Sequence, residues 1–125
     1  SSVPPDEAGD PVLDMHGAAI ARAARHLAWI GYLSTTGVYG DRGGGWVDED
    51  SALTPTGPRG RRRLDAERAW LALPNPAHLF RLAGIYGPGR SALDTVRSGK
   101  ARRVLKPGQV FSRIHVEDIV TVLAK

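Results

Sequence analysis

The sequence predicts an α/β fold, a parallel sheet covered by helices on both faces. Two observations carry this. Segments of helical composition alternate along the chain with short, continuous apolar runs, the pattern of strands buried on both faces. Two of those runs are followed by the same pattern, an apolar residue, then Tyr, then Gly, as Val38-Tyr39-Gly40 and Ile85-Tyr86-Gly87. A chain of 125 residues, 42% hydrophobic and 24% charged, can build one soluble domain with a modest core.

Taken in order, Pro4-Pro5-Asp6-Glu7-Ala8-Gly9-Asp10-Pro11 cannot be a helix interior and is read as a turn. It leads into an Ala-rich helix over Val12 to His26, where Ala19, Ala23 and Leu27 form an apolar stripe with Ile20 and Ala24, opposite Arg22 and Arg25. Trp29 to Ser34 form a short strand, and Thr35 to Gly45 a polar exit whose Gly43-Gly44-Gly45 suits a mobile loop. Beyond Pro55 and Pro58 a second helix runs from about Gly60 to Leu73, stopped by Pro74 and Pro76. Ala77 to Ala83 is a second strand and Gly84 to Gly89 a loop. A short helix near Ser91 to Ser98, a basic turn, and extended pieces around Val104 and over Val110 to His115 follow. Val116 to Lys125 begins a last helix, with Glu117 and Asp118 suiting its N-terminus. Trp29, Trp46 and Trp70 are read as packing residues, Trp46 also as a lid residue beside the glycines.

Composition narrows the function. No run of about 18 apolar residues occurs and the first residues lack the features of a signal peptide, so a cytoplasmic protein without a membrane partner is expected. The absence of cysteine excludes disulfides and thiolate chemistry, and the four histidines have no ligand spacing, so no metal site is expected. The net charge of +4 is attributed to Arg59-Gly60-Arg61-Arg62-Arg63 and Lys100-Ala101-Arg102-Arg103. With few aromatics among them, these suit a solvated face or an anionic small molecule better than nucleic acid.

A parallel sheet binds ligands outside the carboxyl ends of its strands, here Ser34-Thr35-Thr36 and Ala83-Gly84-Ile85. Tyr32 to Gly40, Val47-Asp48-Glu49-Asp50, Pro55-Thr56-Gly57-Pro58, Arg81 to Pro88 and Ile114-His115-Val116-Glu117-Asp118 together resemble the extended and atypical short-chain dehydrogenase/reductases, the NAD-dependent epimerase/dehydratase group. The resemblance covers nearly the whole chain. It implies that residues 1–125 are a single partial NAD(P)-binding domain with an incomplete Rossmann-like, doubly wound sheet. That sheet would run from about the fourth strand onward into the start of the substrate region, with Ser1-Ser2-Val3-Pro4 as the tail of the fourth strand. It further implies an NAD(P)-dependent oxidoreductase or epimerase/dehydratase, NAD or NADP as cofactor, an anionic small-molecule substrate, and room for a homodimer of the complete protein.

By the same resemblance Thr35 takes the position of the catalytic Ser/Thr, whose hydroxyl meets the reacting oxygen, with Ser34 as its neighbour. The family's catalytic tyrosine falls on Arg59, and its lysine on Arg63. Arginine stays protonated and is no proton donor or acceptor. Two cations one helical turn apart can instead bind phosphate, carboxylate or a developing oxyanion, although Arg63 could equally pair with Glu67 on the helix surface. The cofactor residues implied are Ser2, Val3, Pro4, Ser34, Arg63, Gly84, Ile85 and Tyr86. Those implied for substrate are Thr36, Arg90, Arg113 and His115, the last also suited to packing. Loss of the tyrosine leaves a second reading open, a non-catalytic NAD(P)-binding regulatory protein of the same fold. No glycine-rich turn leading from a strand into a helix, of the kind that binds pyrophosphate, is recognised. The sequence is therefore read as starting mid-domain, and the isolated chain is expected to be inactive and unstable.

Overall fold

The computed structural model describes residues 1–103, 105 and 107–125 and divides into two units, Ser1–Arg81 and Leu82–Lys125. In the first, Asp10 starts helix α1 (Pro11–Ala23): its carboxylate accepts from the Val12 and Leu13 N–H groups at 3.0 and 3.1 Å, and Pro11 has no N–H to leave unpaired. A 3-10 turn, Ala24–His26, ends the helical run. Strand β1 (Gly31–Thr35) follows, then a 3-10 turn Thr36–Tyr39, a long irregular loop, helix α2 (Pro58–Leu71) and strand β2 (His78–Leu82), which pairs with β1.

The segment leading into and through β1 is hydrogen-bonded on both edges. The Ile30 carbonyl accepts from the His78 N–H at 2.7 Å. On the opposite edge the Ser1 N donates to the Gly31 carbonyl, and the Leu33 N–H donates to the Ser1 carbonyl at 2.8 Å, the staggered pattern of a parallel pair. Ser1 thus pairs with β1 in the manner of a parallel neighbour. Tyr32 and Ser34 are the buried positions of β1.

The core of this unit forms where Tyr32 stacks on Trp70, ring centroids 5.5 Å apart and planes 21° apart, among Ala24, Ile30, Ala66 and Ala77. Trp70 Nε1 also donates to Asp10 Oδ2 at 2.9 Å, tying the cap of α1 to α2. A second cluster, Val38, Tyr39 and Leu64 with Val47 and Leu53, fastens the long loop. Val47 and Leu53, not Trp46, are the residues this loop turns inward. Trp46 is fully exposed, contrary to a packing role, and Trp29 is half-exposed.

Contrary to the expectation that no such turn is present, Gly37, Gly40 and Gly43 have the spacing of a dinucleotide-binding turn, but no helix begins until Pro58. Gly40 serves a local purpose. Its φ of +75° is open to glycine, and a Cβ there would lie 2.1 Å from the Thr54 carbonyl oxygen. Gly40→Ala is accordingly expected to cost on the order of 1–3 kcal/mol in backbone strain alone, measured as a lowered urea midpoint.

In the second unit, strand β3 (Gly84–Tyr86) pairs in parallel with β4 (Arg113–His115) in the register Gly84 to Arg113, Ile85 to Ile114, Tyr86 to His115. The expected loop over Gly84 to Gly89 is therefore a strand for its first three residues, because β4 supplies the partner. Of the extended stretch Val110 to His115 only β4 is strand, and the piece around Val104 lies outside the described residues. Gly87-Pro88-Gly89-Arg90 is a turn with Pro at its second and Gly (φ +72°) at its third position, closed by the Arg90 N–H on the Gly87 carbonyl at 3.0 Å. It delivers Ser91, which caps helix α3 (Ala92–Arg97) through the Asp94 N–H at 3.1 Å. Helix α4 (Val116–Leu123) closes the chain. Among the described residues no helix is long and apolar enough to cross a membrane.

Candidate functional site

At the end of β1 two adjacent hydroxyls face different fates. Ser34 is buried, and its Oγ donates to the Glu67 carboxylate. Thr35 is partly exposed and caps the following turn: its Oγ1 accepts from the Gly37 N–H at 3.2 Å, so its own hydrogen remains free to donate. Thr36 is also partly exposed. The first turn of α2 packs directly on this segment. At Gly60 a Cβ would stand 3.0 Å from the Gly37 carbonyl oxygen and 2.8 Å from Pro55 Cβ, so only glycine lets the helix approach without a shift.

Arg59, on that first turn, is exposed and has no hydrogen-bond or ion-pair partner among the described residues. Arg63 turns inward. Its Nη1 donates to the Tyr32 hydroxyl at 2.9 Å and to the Leu33 carbonyl at 3.3 Å, so the surface pair with Glu67 does not form. Glu67 instead pairs with Arg81 of β2 at 3.0 Å, the carboxylate almost wholly buried. Arg81 is pushed above the ordinary arginine range, first by its hydrogen bond to Glu67, against the opposing effect of burial. Ser2, Val3 and Pro4 are exposed beyond the residue that pairs with β1.

Burial pushes the Tyr32 phenol above its ordinary value, and the hydrogen bond from Arg63 opposes this. The folded state then holds the phenol's proton more tightly than the unfolded one, so this stabilisation is present below pH 10 and lost as pH rises through the raised value. Phenolate absorbance should show one of the three tyrosines ionising late, with stability falling alongside. Arg63→Met should move that step higher still.

The second unit carries the positive excess of the chain, eight Lys and Arg against three Asp and Glu, whereas nine face ten in the first. The arginines of α2, set against the acids of their own unit, therefore add nothing to the net charge. Arg62, for example, pairs with Glu7 at the surface. In the second unit an open groove of about 970 Å³ gathers five of the residues the sequence singled out, Gly84, Ile85, Tyr86, Arg90 and Arg113, together with Lys100. Gly84 makes room for Arg113, whose Nη1 would lie 2.7 Å from a Cβ there. Its floor is the β3–β4 pair and one wall is α3 with its hydroxyls Ser91, Thr95 and Ser98. His115 is not part of the groove lining. It packs edge-on against Tyr86, centroids 5.0 Å apart, and its Nδ1 caps α4 by accepting from the Glu117 N–H.

Solved structures that share this architecture include the following two. A functionally unknown conserved protein from Silicibacter pomeroyi DSS is 59% identical, with a TM-score of 0.91 over 98% of this chain and 44% of that one. A protein from Methylobacillus flagellatus bearing the name NAD-dependent epimerase/dehydratase is 35% identical, with a TM-score of 0.59 over 78% of this chain and 35% of that one. The likeness supports the epimerase/dehydratase superfamily. The mixed α/β architecture, with its short parallel pairing, is consistent with part of a Rossmann-like sheet. The chain spans less than half the length of either structure. No family model and no curated protein matches it.

Proposed function

We propose that the protein acts as an NAD(P)-dependent oxidoreductase or epimerase/dehydratase-like enzyme in which Thr35 orients the reacting oxygen of the substrate and Arg59 supplies positive charge beside it. The observation that carries this reading is the division of labour between the two hydroxyls. Ser34 gives its hydrogen to Glu67, while Thr35 has its acceptor side filled by Gly37 and its hydrogen left for a ligand. Arg59, without a partner among the described residues, belongs to the helix turn packed on the same segment. A fixed donor and a cation can stabilise charge on an oxygen, but arginine does not supply the proton.

NAD(P), when bound, supplies the hydride acceptor or donor. The residues fit part of such a group. In the first unit the exposed Ser2–Pro4 segment lies next to β1. Arg63 fits less well than the family's lysine, since its Nη1 is engaged by Tyr32 and Leu33. In the second unit the groove lined by Arg90 and Arg113 suits an anionic ligand by itself, and Arg113→Ala should weaken anion binding there by about tenfold or more, read by titration with inorganic phosphate.

The test is titration of the full-length protein with NADH and NADPH, read by nicotinamide fluorescence, followed by turnover on a panel of ketones and nucleotide sugars. Binding with turnover that falls about 100-fold in Thr35→Ala supports the reading. Binding with no redox change across the panel favours the regulatory protein instead, and no binding of either nucleotide overturns the cofactor assignment. Arg59→Tyr combined with Arg63→Lys separates two histories: gained activity marks an enzyme that decayed, lost activity an arginine-based one.

A further inference from the structure

Glu67 on α2 has 1% of its surface exposed, yet its carboxylate is fully engaged. Its carboxylate accepts from Ser34 Oγ, from Arg81 Nε at 3.2 and 3.3 Å, and from Arg81 Nη2 at 3.0 Å. The remaining arm of Arg81, Nη1, donates to the Tyr39 hydroxyl at 3.1 Å and reaches the Glu49 carbonyl at 3.5 Å. A buried ion pair is weak evidence of stabilisation, because apolar residues of the same volume serve a core as well without the desolvation. What this pair does achieve is connection: it joins β1, the turn after it, the long loop, α2 and β2.

Those connections bracket Thr35. Ser34 immediately precedes it and Tyr39 ends the turn it caps. Successive residues of a strand point to opposite faces, so anchoring Ser34 on the inner face fixes the direction in which Thr35 leaves the outer one. We propose that Glu67 and Arg81 are positioning residues, whose ion pair holds the Ser34–Tyr39 segment so that the Thr35 hydroxyl keeps its bond from Gly37 and presents its hydrogen to the substrate. This rests on the reading of Thr35 as the substrate-facing group.

Amide hydrogen exchange of the full-length protein tests it, comparing residues 35–40 with α1, which takes no part in the network. Glu67→Gln and Arg81→Lys should each speed exchange over 35–40 by about tenfold or more while leaving α1 unchanged. Ser34→Ala, which keeps the ion pair, should do the same to a smaller extent. Where turnover is measurable, kcat falls and KM holds. Unchanged exchange over 35–40, a rise shared equally by α1, or local loosening with an unaltered kcat overturns the proposal. Should no turnover be found, a confined rise still establishes the positioning, and only the enzymatic reading falls.

Discussion

Arg81→Met is expected to lower the unfolding free energy by about 3–5 kcal/mol. The substitution keeps most of the side chain's volume but removes every donor that Arg81 gives to Glu67, leaving a carboxylate 1% exposed with Ser34 alone as partner. The loss comes less from the missing attraction than from the charge left without compensation. Removing both charges together, as Arg81→Met with Glu67→Leu, should therefore return most of the stability. Urea unfolding of the full-length protein, followed by tryptophan fluorescence, measures both. A single variant within about 1 kcal/mol of the parent would place the carboxylate in water or in its neutral form instead. The double variant is also informative about function, since it can be stable and still lose the ordering of Thr35.

What could be read in the sequence depended on how local the cause was. The Ala-rich composition after Pro11 announces α1, and the prolines around α2 mark both its ends, so both elements lie within a few residues of their expected bounds. By sequence alone β3 reads as a loop, because three residues beginning with glycine become a strand only when Arg113–His115 lies beside them. The resemblance implies Gly84 to Tyr86 for the cofactor and Arg90 and Arg113 for the substrate, and all five line one groove. The buried pair could not be found that way. Arg63, four residues before Glu67, offered a local partner, whereas the real one is 14 residues on and on another element. The choice between them is made by Tyr32, whose hydroxyl draws Arg63 inward. The charge pattern misled for a related reason: the run of arginines on α2 is conspicuous, but the acids that balance it are scattered along the same unit.

Trp70→Ala should cost about 3–5 kcal/mol, a comparable loss by a different route. Trp70 is 2% exposed and stacks on Tyr32, so its removal leaves a cavity against a ring that lies on β1 itself. It also strips Asp10 Oδ2 of the indole donor, although Oδ1 continues to cap α1. Trp70→Phe isolates that polar part, retaining a ring to stack while leaving a buried carboxylate oxygen unpaired, and should cost about 1–3 kcal/mol. The difference between the variants, from urea unfolding, measures the packing. Its consequence extends along β1, because Tyr32 holds Arg63 through its hydroxyl and lies two residues before Ser34. With the ring free to move, the late phenol titration should revert toward the ordinary tyrosine value in Trp70→Ala but persist in Trp70→Phe. That pairing of a stability loss with a titration change ties the core of the first unit to the strand end that carries Thr35.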